Sequence, residues 1–319
     1  MIRDGILNIN KPAGMTSHDV VNIVRRAAGI RRVGHTGTLD PMAEGVLPVC
    51  IGSAARVSEY LDLDFKTYRC RLRFGQVTDT LDIWGKLLEE RETGGLTESA
   101  IREALSSFKG LIKQVPPMYS AVKVGGRKLY EYAREGVHIE VKPREVFIRE
   151  MTVEEVDLDA AEAVFSVECT KGTYIRSICG EAGELLGTGA VMSALTRTAS
   201  GAFSLAGAIE LEKIREAGAD ELAALMLPVD FPLTHFGKAV TDSENGRRFA
   251  DGFHLPPGCC RIEREPEFAG RDFVLPLRAE YRRAYNVYME EAGEEIFLGV
   301  AFYNDKYKKL VADKVFYKR

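Results

Sequence analysis

The hydrophobic and polar positions at the start of the chain predict a strand followed by an amphipathic helix. A short apolar run, 5–10, ends in a Pro-Gly break, as a strand does when it enters a turn. Thr16 or Ser17 can then cap a helix that Gly29 ends. Its apolar positions recur at helical spacing and form one stripe: Val20, Val21, Val24, Ala27 and Ala28.

Periodicity predicts further elements along the next part of the chain. Residues 66–74 alternate strictly, which predicts a strand with an apolar face and an arginine-rich face that is polar enough to line a groove or meet solvent. Thr97 caps a predicted helix that ends at Gly110. A strand at 162–169 precedes a helix at 172–187, whose predicted apolar side comprises Ile175, Ile178, Ala182, Leu185 and Leu186.

Two segments lack this regularity. Residues 30–45 contain glycines, a proline and little periodicity, so we expect a loop, and loops of that length are often functional. Residues 114–136 combine a Pro-Pro break, a Gly-Gly turn, bases and aromatic side chains. They are either a packed hairpin and short helix or a thumb-like loop that presents Tyr119, Lys123, Arg127 and Lys128 to a polyanion.

Length and composition indicate an ordinary globular protein of about two domains. The 319 residues are 45% hydrophobic and 28% charged, which excludes a disordered chain. Two prolines at 227–236 interrupt the pattern, and short strand-like runs follow. We therefore predict one domain at 1–235 and a small β-rich domain, without helices of any length, at 236–319.

Net charge and cysteine positions further limit the possible classes of protein. The net charge is −4, from 43 basic and 47 acidic residues, although a nucleic acid responds to local basic patches. The N-terminus has no signal-peptide pattern and no run reaches transmembrane length, so we expect a cytoplasmic protein that does not contact a membrane. Six scattered cysteines indicate reduced thiols, and Cys259 and Cys260 with His254 form only a weak metal candidate.

The glycine-containing loop holds the candidate chemistry. Its titratable groups are His35, Asp40 and Glu44, but it lacks the lysine and the strand-to-helix placement of a P-loop. A metal-dependent hydrolase built on these three residues is one open alternative. From the residues alone, an aspartate before a proline is more often a turn former than a catalyst.

Five ordered motifs change this interpretation. ILNINKPAGMTS, GHTGTLDPMAEGVLP, KTYRCRLRFGQVTDTLDIWG, PPMYSAVKVGGRKLYEYAREG and CTKGTYIRSICGEAGELLG together resemble the tRNA pseudouridine synthase B family over about residues 5–230. The resemblance implies an α+β fold: a mixed-sheet catalytic domain flanked by helices and loops, plus a small C-terminal β-barrel-like PUA domain. It also implies isomerisation of uridine 55 in the T loop of tRNA.

The resemblance assigns roles to particular residues. Asp40 matches the essential aspartate that starts cleavage of the glycosidic bond, Tyr68 the tyrosine that stacks on the flipped base, and Arg176 the arginine that pairs with the aspartate. The substrate-binding candidates are residues matched to family motifs or carried by the thumb-like segment: His35, Leu195, Lys11, Lys123, Arg127 and Lys128.

The implied partner is the T stem-loop of tRNA, with the acceptor stem as a further contact of the C-terminal domain. The family resemblance implies a monomer with no obligatory protein partner, no metal and no organic cofactor. Besides the metal-dependent hydrolase, two alternatives stay open: a guide-RNA-dependent relative, which the insertion at 114–136 argues against, and a non-catalytic RNA-binding or tRNA-folding module.

Overall fold

A ten-stranded mixed sheet organises the first part of the chain in the computed structural model, which describes residues 4–256, 258–267 and 279–317. The sheet runs β14-β1-β3-β12-β4-β11-β10-β7, with β2 added on β3 and β13 on β12. Two short hairpins, β5–β6 and β8–β9, lie outside it. The strands are β1 (Gly5–Lys11), β2 (Val33–His35), β3 (Glu44–Ile51), β4 (Lys66–Phe74), β5 (Gln76–Thr78), β6 (Leu87–Glu90), β7 (Gly110–Gln114), β8 (Lys123–Val124), β9 (Arg127–Lys128), β10 (Arg144–Asp157), β11 (Glu162–Cys169), β12 (Ala190–Ser200), β13 (Phe203–Ser204) and β14 (Ile209–Glu210).

Helices cover the sheet and close its core. The apolar stripe of the first helix packs with strand residues such as Leu47 and Cys70 in the largest hydrophobic cluster. A 3₁₀ helix, Gly52–Leu63, follows β3. The α-helices of this part are α1 (Ser17–Ala28), α2 (Glu98–Ser106), α3 (Leu129–Arg134), α4 (Ile175–Leu185), α5 (Leu211–Glu216) and α6 (Ala219–Ala224).

The start of the chain folds as its pattern predicts. Thr16 caps α1 and forms a capping box with Asp19, and Gly29 ends the helix with φ +64°. The antiparallel pairing of β1 with β3 then brings the chain from residue 11 to face residue 45. This pairing places the end of β1 beside the glycine-containing loop.

Three local predictions for this part of the chain were wrong. The segment 30–45 is not a continuous loop, because Val33–His35 pairs with β3 and supplies part of its own structure. Leu185 is 65% exposed, since it lies in the last turn of α4 beyond the packed stripe. The helix capped by Thr97 ends at Ser106, and Gly110 instead begins β7.

The last part of the chain forms a separate five-stranded sheet, ordered β16-β15-β17-β18-β19. It also contains an eight-residue helix, which corrects the prediction of no helices there. Its elements are β15 (Gly237–Asp242), α7 (Ser243–Ala250), β16 (Cys260–Arg264), β17 (Ala284–Glu291), β18 (Glu294–Asn304) and β19 (Lys309–Val315). The large mixed sheet with this separate C-terminal sheet confirms the predicted α+β fold class.

An aromatic cluster joins the two sheets. Tyr60, from the 3₁₀ helix after β3, contacts the ring of Phe236 edge-on at 5.3 Å and that of Tyr281 at 5.9 Å. Its hydroxyl donates a hydrogen bond to Asp313 of β19. In the described ranges, no helix is long and apolar enough to cross a membrane.

Candidate active site

Asp40 lies on the loop between β2 and β3, and its neighbours are tied to surrounding elements. The backbone nitrogen of Leu39 donates to the hydroxyl of Ser17 at 2.9 Å, and that hydroxyl donates to the Leu39 carbonyl at 3.1 Å. Leu39 is itself buried, whereas the Asp40 side chain is 42% exposed. The loop therefore holds Asp40 at a fixed position that a substrate can reach.

Lys11 also holds this loop in place through hydrogen bonds to backbone carbonyls. Its side chain is fully buried, and its ammonium donates to the carbonyls of Pro12 at 2.8 Å, Met15 at 2.7 Å and Pro41 at 3.0 Å. Burial lowers the pKa of Lys11 to about 8, although the nearby charges of Glu44 and Asp40 act in the opposite direction. The lysine thus ties the end of β1 to the residue directly after Asp40.

Arg176 connects three separate segments at the site. It lies in the first turn of α4, is 5% exposed, and donates from Nε to Oδ2 of Asp40 at 2.8 Å. Its two terminal nitrogens donate to the carbonyls of Thr80 at 2.9 Å and Tyr119 at 3.0 Å. Because all three nitrogens of the planar guanidinium donate hydrogen bonds, the guanidinium is held in place and fixes the orientation of the carboxylate.

Tyr68 completes the central group. It lies on the buried face of β4, 8% exposed, in register with Arg197 on β12. Burial raises the pKa of Tyr68, the adjacent Arg197 opposes this shift, and the charge of Asp40 adds to it. The phenol is therefore protonated near neutral pH.

Arg197 was not predicted from the sequence, yet it is the largest fully buried side chain among the described residues. Its Nε donates to the carbonyl of Val46 at 2.7 Å, and its terminal nitrogens donate to those of Gly37 at 3.1 Å and Thr38 at 3.5 Å. A signal existed: strand alternation places Arg197 on the same buried face as Leu195. An arginine on a buried strand face needs backbone acceptors, and here β3 and the Asp40 loop supply them.

His35 and Leu195 lie in the shell around this group. His35 is half-buried, and its Nδ1 atom has no hydrogen-bond partner among the described residues. Burial lowers the pKa of His35, and the charge of Arg197 lowers it further. Leu195 is 8% exposed and belongs to the same hydrophobic cluster as Tyr68.

The three thumb candidates lie elsewhere, on the hairpin formed by β8 and β9. The Arg127 guanidinium covers the ring of Tyr132 at 4.5 Å, and the Lys128 ammonium lies 5.3 Å from the ring of Tyr130. No hydrogen bond or salt bridge between described residues joins Lys123, Arg127 or Lys128 to the Asp40 group. Their segment reaches the site at its base, where the Tyr119 carbonyl accepts a hydrogen bond from Arg176.

The hairpin and helix predicted for 114–136 are both present, as β8–β9 and α3. Within residues 4–256, 258–267 and 279–317, no three His, Cys, Asp or Glu side chains are grouped so that they could hold a metal ion. Among those residues, neither the loop with His35, Asp40 and Glu44 nor the pair Cys259 and Cys260 forms such a group.

Comparison with known proteins defines the class of protein. The fold matches the crystal structure of the archaeal box H/ACA sRNP Nop10–Cbf5 complex with a TM-score of 0.70 and 22% identity, over 100% of this chain and 88% of that one. The model of the TruB family pseudouridylate synthase N-terminal domain matches residues 25–175, and that of the tRNA pseudouridylate synthase B C-terminal domain matches 176–234. The chain is therefore of the pseudouridylate synthase class.

Individual relatives define the family. The tRNA pseudouridine synthase B of Alkaliphilus oremlandii is 47% identical over 276 residues, which are 82% of this chain and 91% of that protein. The protein of the same name from Clostridium perfringens is 38% identical over 308 residues, 96% of this chain and 97% of its relative. The chain belongs to the tRNA pseudouridine synthase B family, as the five sequence motifs predict.

Proposed function

We propose that this protein converts uridine 55 in the T loop of tRNA into pseudouridine. Family membership supports a tRNA pseudouridine synthase, and the 2.8 Å salt bridge between Arg176 and Asp40 is the observation that carries the assignment of the catalytic centre. These two residues are 136 positions apart in the chain, yet their side chains meet close to Tyr68.

Asp40 is the group that starts cleavage of the glycosidic bond in this proposal. Water solvates a freely exposed carboxylate and makes it a poor nucleophile, whereas a fully buried one tends to protonate. Asp40 avoids both limits, because Arg176 binds one of its oxygens while 42% of the side chain stays exposed. Either direct attack on the ribose or abstraction of a proton from it suits this arrangement.

Tyr68 supplies the surface for the extracted base. Removing a uridine from a folded RNA loop costs a few kcal/mol, and stacking on an aromatic ring returns about 1–3 kcal/mol. Since the raised pKa keeps the phenol protonated, Tyr68 is better suited to stacking and to donating a hydrogen bond than to acting as a free base. His35 and Leu195 would line the space around the flipped nucleotide.

The overall reaction is an isomerisation. The bond between uracil N1 and ribose C1′ breaks, the uracil rotates, a bond forms between C5 and C1′, and the proton from C5 leaves as N1 gains one. The isomerisation needs no external oxidant or reductant and transfers no group to another molecule. We therefore propose a reaction without a metal or organic cofactor.

RNA binding beyond the Asp40 site is assigned to two further parts of the chain. We propose that residues 1–235 form the catalytic domain, that 114–136 contact the T arm, and that 236–319 act as a PUA-like domain on the acceptor-stem side of tRNA. Lys306 and Lys309, whose ammonium groups lie near the ring of Tyr307, are candidate phosphate contacts there. Replacing both with glutamine should reduce the salt dependence of tRNA binding by about two counterions.

The decisive experiment supplies the purified protein with an unmodified tRNA transcript and nothing else except buffer, and maps pseudouridine chemically. We expect one pseudouridine at position 55 and none in a transcript that carries cytidine there. Product only after addition of a guide RNA or protein partner would support the guide-dependent alternative. Tight tRNA binding without product under all these conditions would support the non-catalytic one.

A further inference from the structure

Lys66 is a cation beside the Asp40 loop that the proposed reaction does not use. It begins β4 and, by strand alternation, lies on the same face as Tyr68, two residues further on. Its ammonium packs against the Asp40 loop: a Cβ atom built on Gly37 would lie 2.8 Å from Lys66 Nζ and 3.5 Å from Arg197 Nη1. Two cations therefore flank one glycine.

Among the residues that the structure describes, none accepts a hydrogen bond from the ammonium of Lys66. Among the described residues, no hydrogen bond or ion pair to its side chain exists, in contrast to Lys11, which is saturated by three carbonyls. Burial, followed by the charge of Arg197, lowers the pKa of Lys66 to about 8, despite the opposing charge of Asp64. A partly buried cation without an acceptor is unfavourable unless a ligand supplies one.

The groups around Lys66 also favour the binding of an anion. The unpartnered Nδ1 of His35 belongs to a ring on which the charges of both Arg197 and Lys66 act, so the three groups share one small region. Lys66 keeps part of its surface accessible, so a ligand can reach it. Along the strand, Lys66 and Tyr68 are roughly 7 Å apart, comparable to the reach of one nucleotide.

We propose that Lys66 binds a phosphodiester oxygen of the substrate RNA, at a phosphate directly adjacent to the uridine that stacks on Tyr68. This inference rests on the proposed function and adds a residue that fixes the register of the RNA backbone over Asp40. In this contact, a charged phosphate oxygen accepts a hydrogen bond from the Lys66 ammonium.

The test pairs protein variants with modified RNA. T-arm stem-loops carry a neutral methylphosphonate at the linkage 5′ or 3′ to the target uridine, and dissociation constants are measured for wild type, Lys66→Met and Lys66→Arg. The matched control is Lys109→Met, which removes an exposed lysine paired with Glu150. We expect Lys66→Met to weaken binding of the native RNA about tenfold and to reduce the salt slope by about one, with little effect in the control.

Combining Lys66→Met with a methylphosphonate RNA tests whether Lys66 and the phosphate contact each other. One of the two methylphosphonates should weaken wild-type binding about as much as Lys66→Met does, and should cause no further loss in that variant. Additive losses, or wild-type affinity in Lys66→Met, would overturn the inference. If Lys66→Met does not fold, insensitivity of wild type to both methylphosphonates overturns it alone. Failure of wild type to form pseudouridine in the native stem-loop would instead refute the proposed function.

Discussion

Gly45, at the start of β3, is the position where a single methyl group should damage the site most. Its φ is +101°, and an added Cβ would overlap the carbonyl oxygen of Arg197 and lie 2.9 Å from its backbone nitrogen. The unfavourable φ costs about 1–2 kcal/mol. Displacing the paired backbone of β12 adds about 1–3 kcal/mol. Gly45→Ala should thus lower the free energy of unfolding by about 2–5 kcal/mol.

The same change should also reduce activity. Arg197 holds the Gly37 and Thr38 carbonyls, so moving its backbone moves the loop that carries Asp40. A displacement of about 1 Å at a catalytic group lowers a rate by roughly 100-fold. The assays are urea unfolding and the rate of pseudouridine formation in unmodified tRNA.

Two other glycines provide matched controls for the Gly45 experiment. Gly29 has φ +64° and open space around its Cβ position, so Gly29→Ala isolates the conformational effect at about 1–2 kcal/mol. Gly34 has neither restriction, and Gly34→Ala should change stability little. If Gly45→Ala is no more destabilising than Gly29→Ala, the close contact between β3 and β12 does not constrain the loop and the reasoning fails.

Three further predictions concern the central side chains. Arg176→Lys should reduce the single-turnover rate about 10- to 100-fold, because one ammonium cannot replace the three-sided contact; an unchanged rate would contradict this. Tyr68→Phe should keep RNA affinity, whereas Tyr68→Leu should lose about 1–3 kcal/mol of binding, and equal affinities would argue against stacking. For Lys11, burial lowers the pKa from 10.5 to about 8, so between these values the unfolded chain binds the extra proton and stability rises with pH. In urea unfolding, wild type should therefore gain stability relative to Lys11→Met between about pH 8 and 10, and a constant difference would refute the shift.

Local patterns predicted much of the fold. The cap at Thr16, the end of α1 at Gly29 and the alternation of β4 follow from interactions between residues close in sequence, and the structure contains all three. The short strand Val33–His35 could not be predicted this way, because its stability comes from pairing with β3 and not from its own composition.

The site required more than local information. Nothing in spacing or periodicity indicates that Arg176 meets Asp40, and only the family resemblance predicted the pair. Lys66 and Arg197 were missed for a different reason: a basic residue on a strand is usually exposed, and only the assembled sheet shows which face is covered. Alternation along β4 and β12 places both on faces shared with apolar residues, which is the signal that was available.

In the proposed mechanism, Asp40, held by Arg176, starts the isomerisation of a tRNA uridine. The most direct test is tritium release from tRNA labelled at uridine C5, measured in single turnover for wild type and Asp40→Asn, together with tRNA affinity. We predict that Asp40→Asn binds tRNA with similar affinity and loses at least about 10³-fold in the rate of release. Release by the variant within tenfold of wild type would contradict this mechanism.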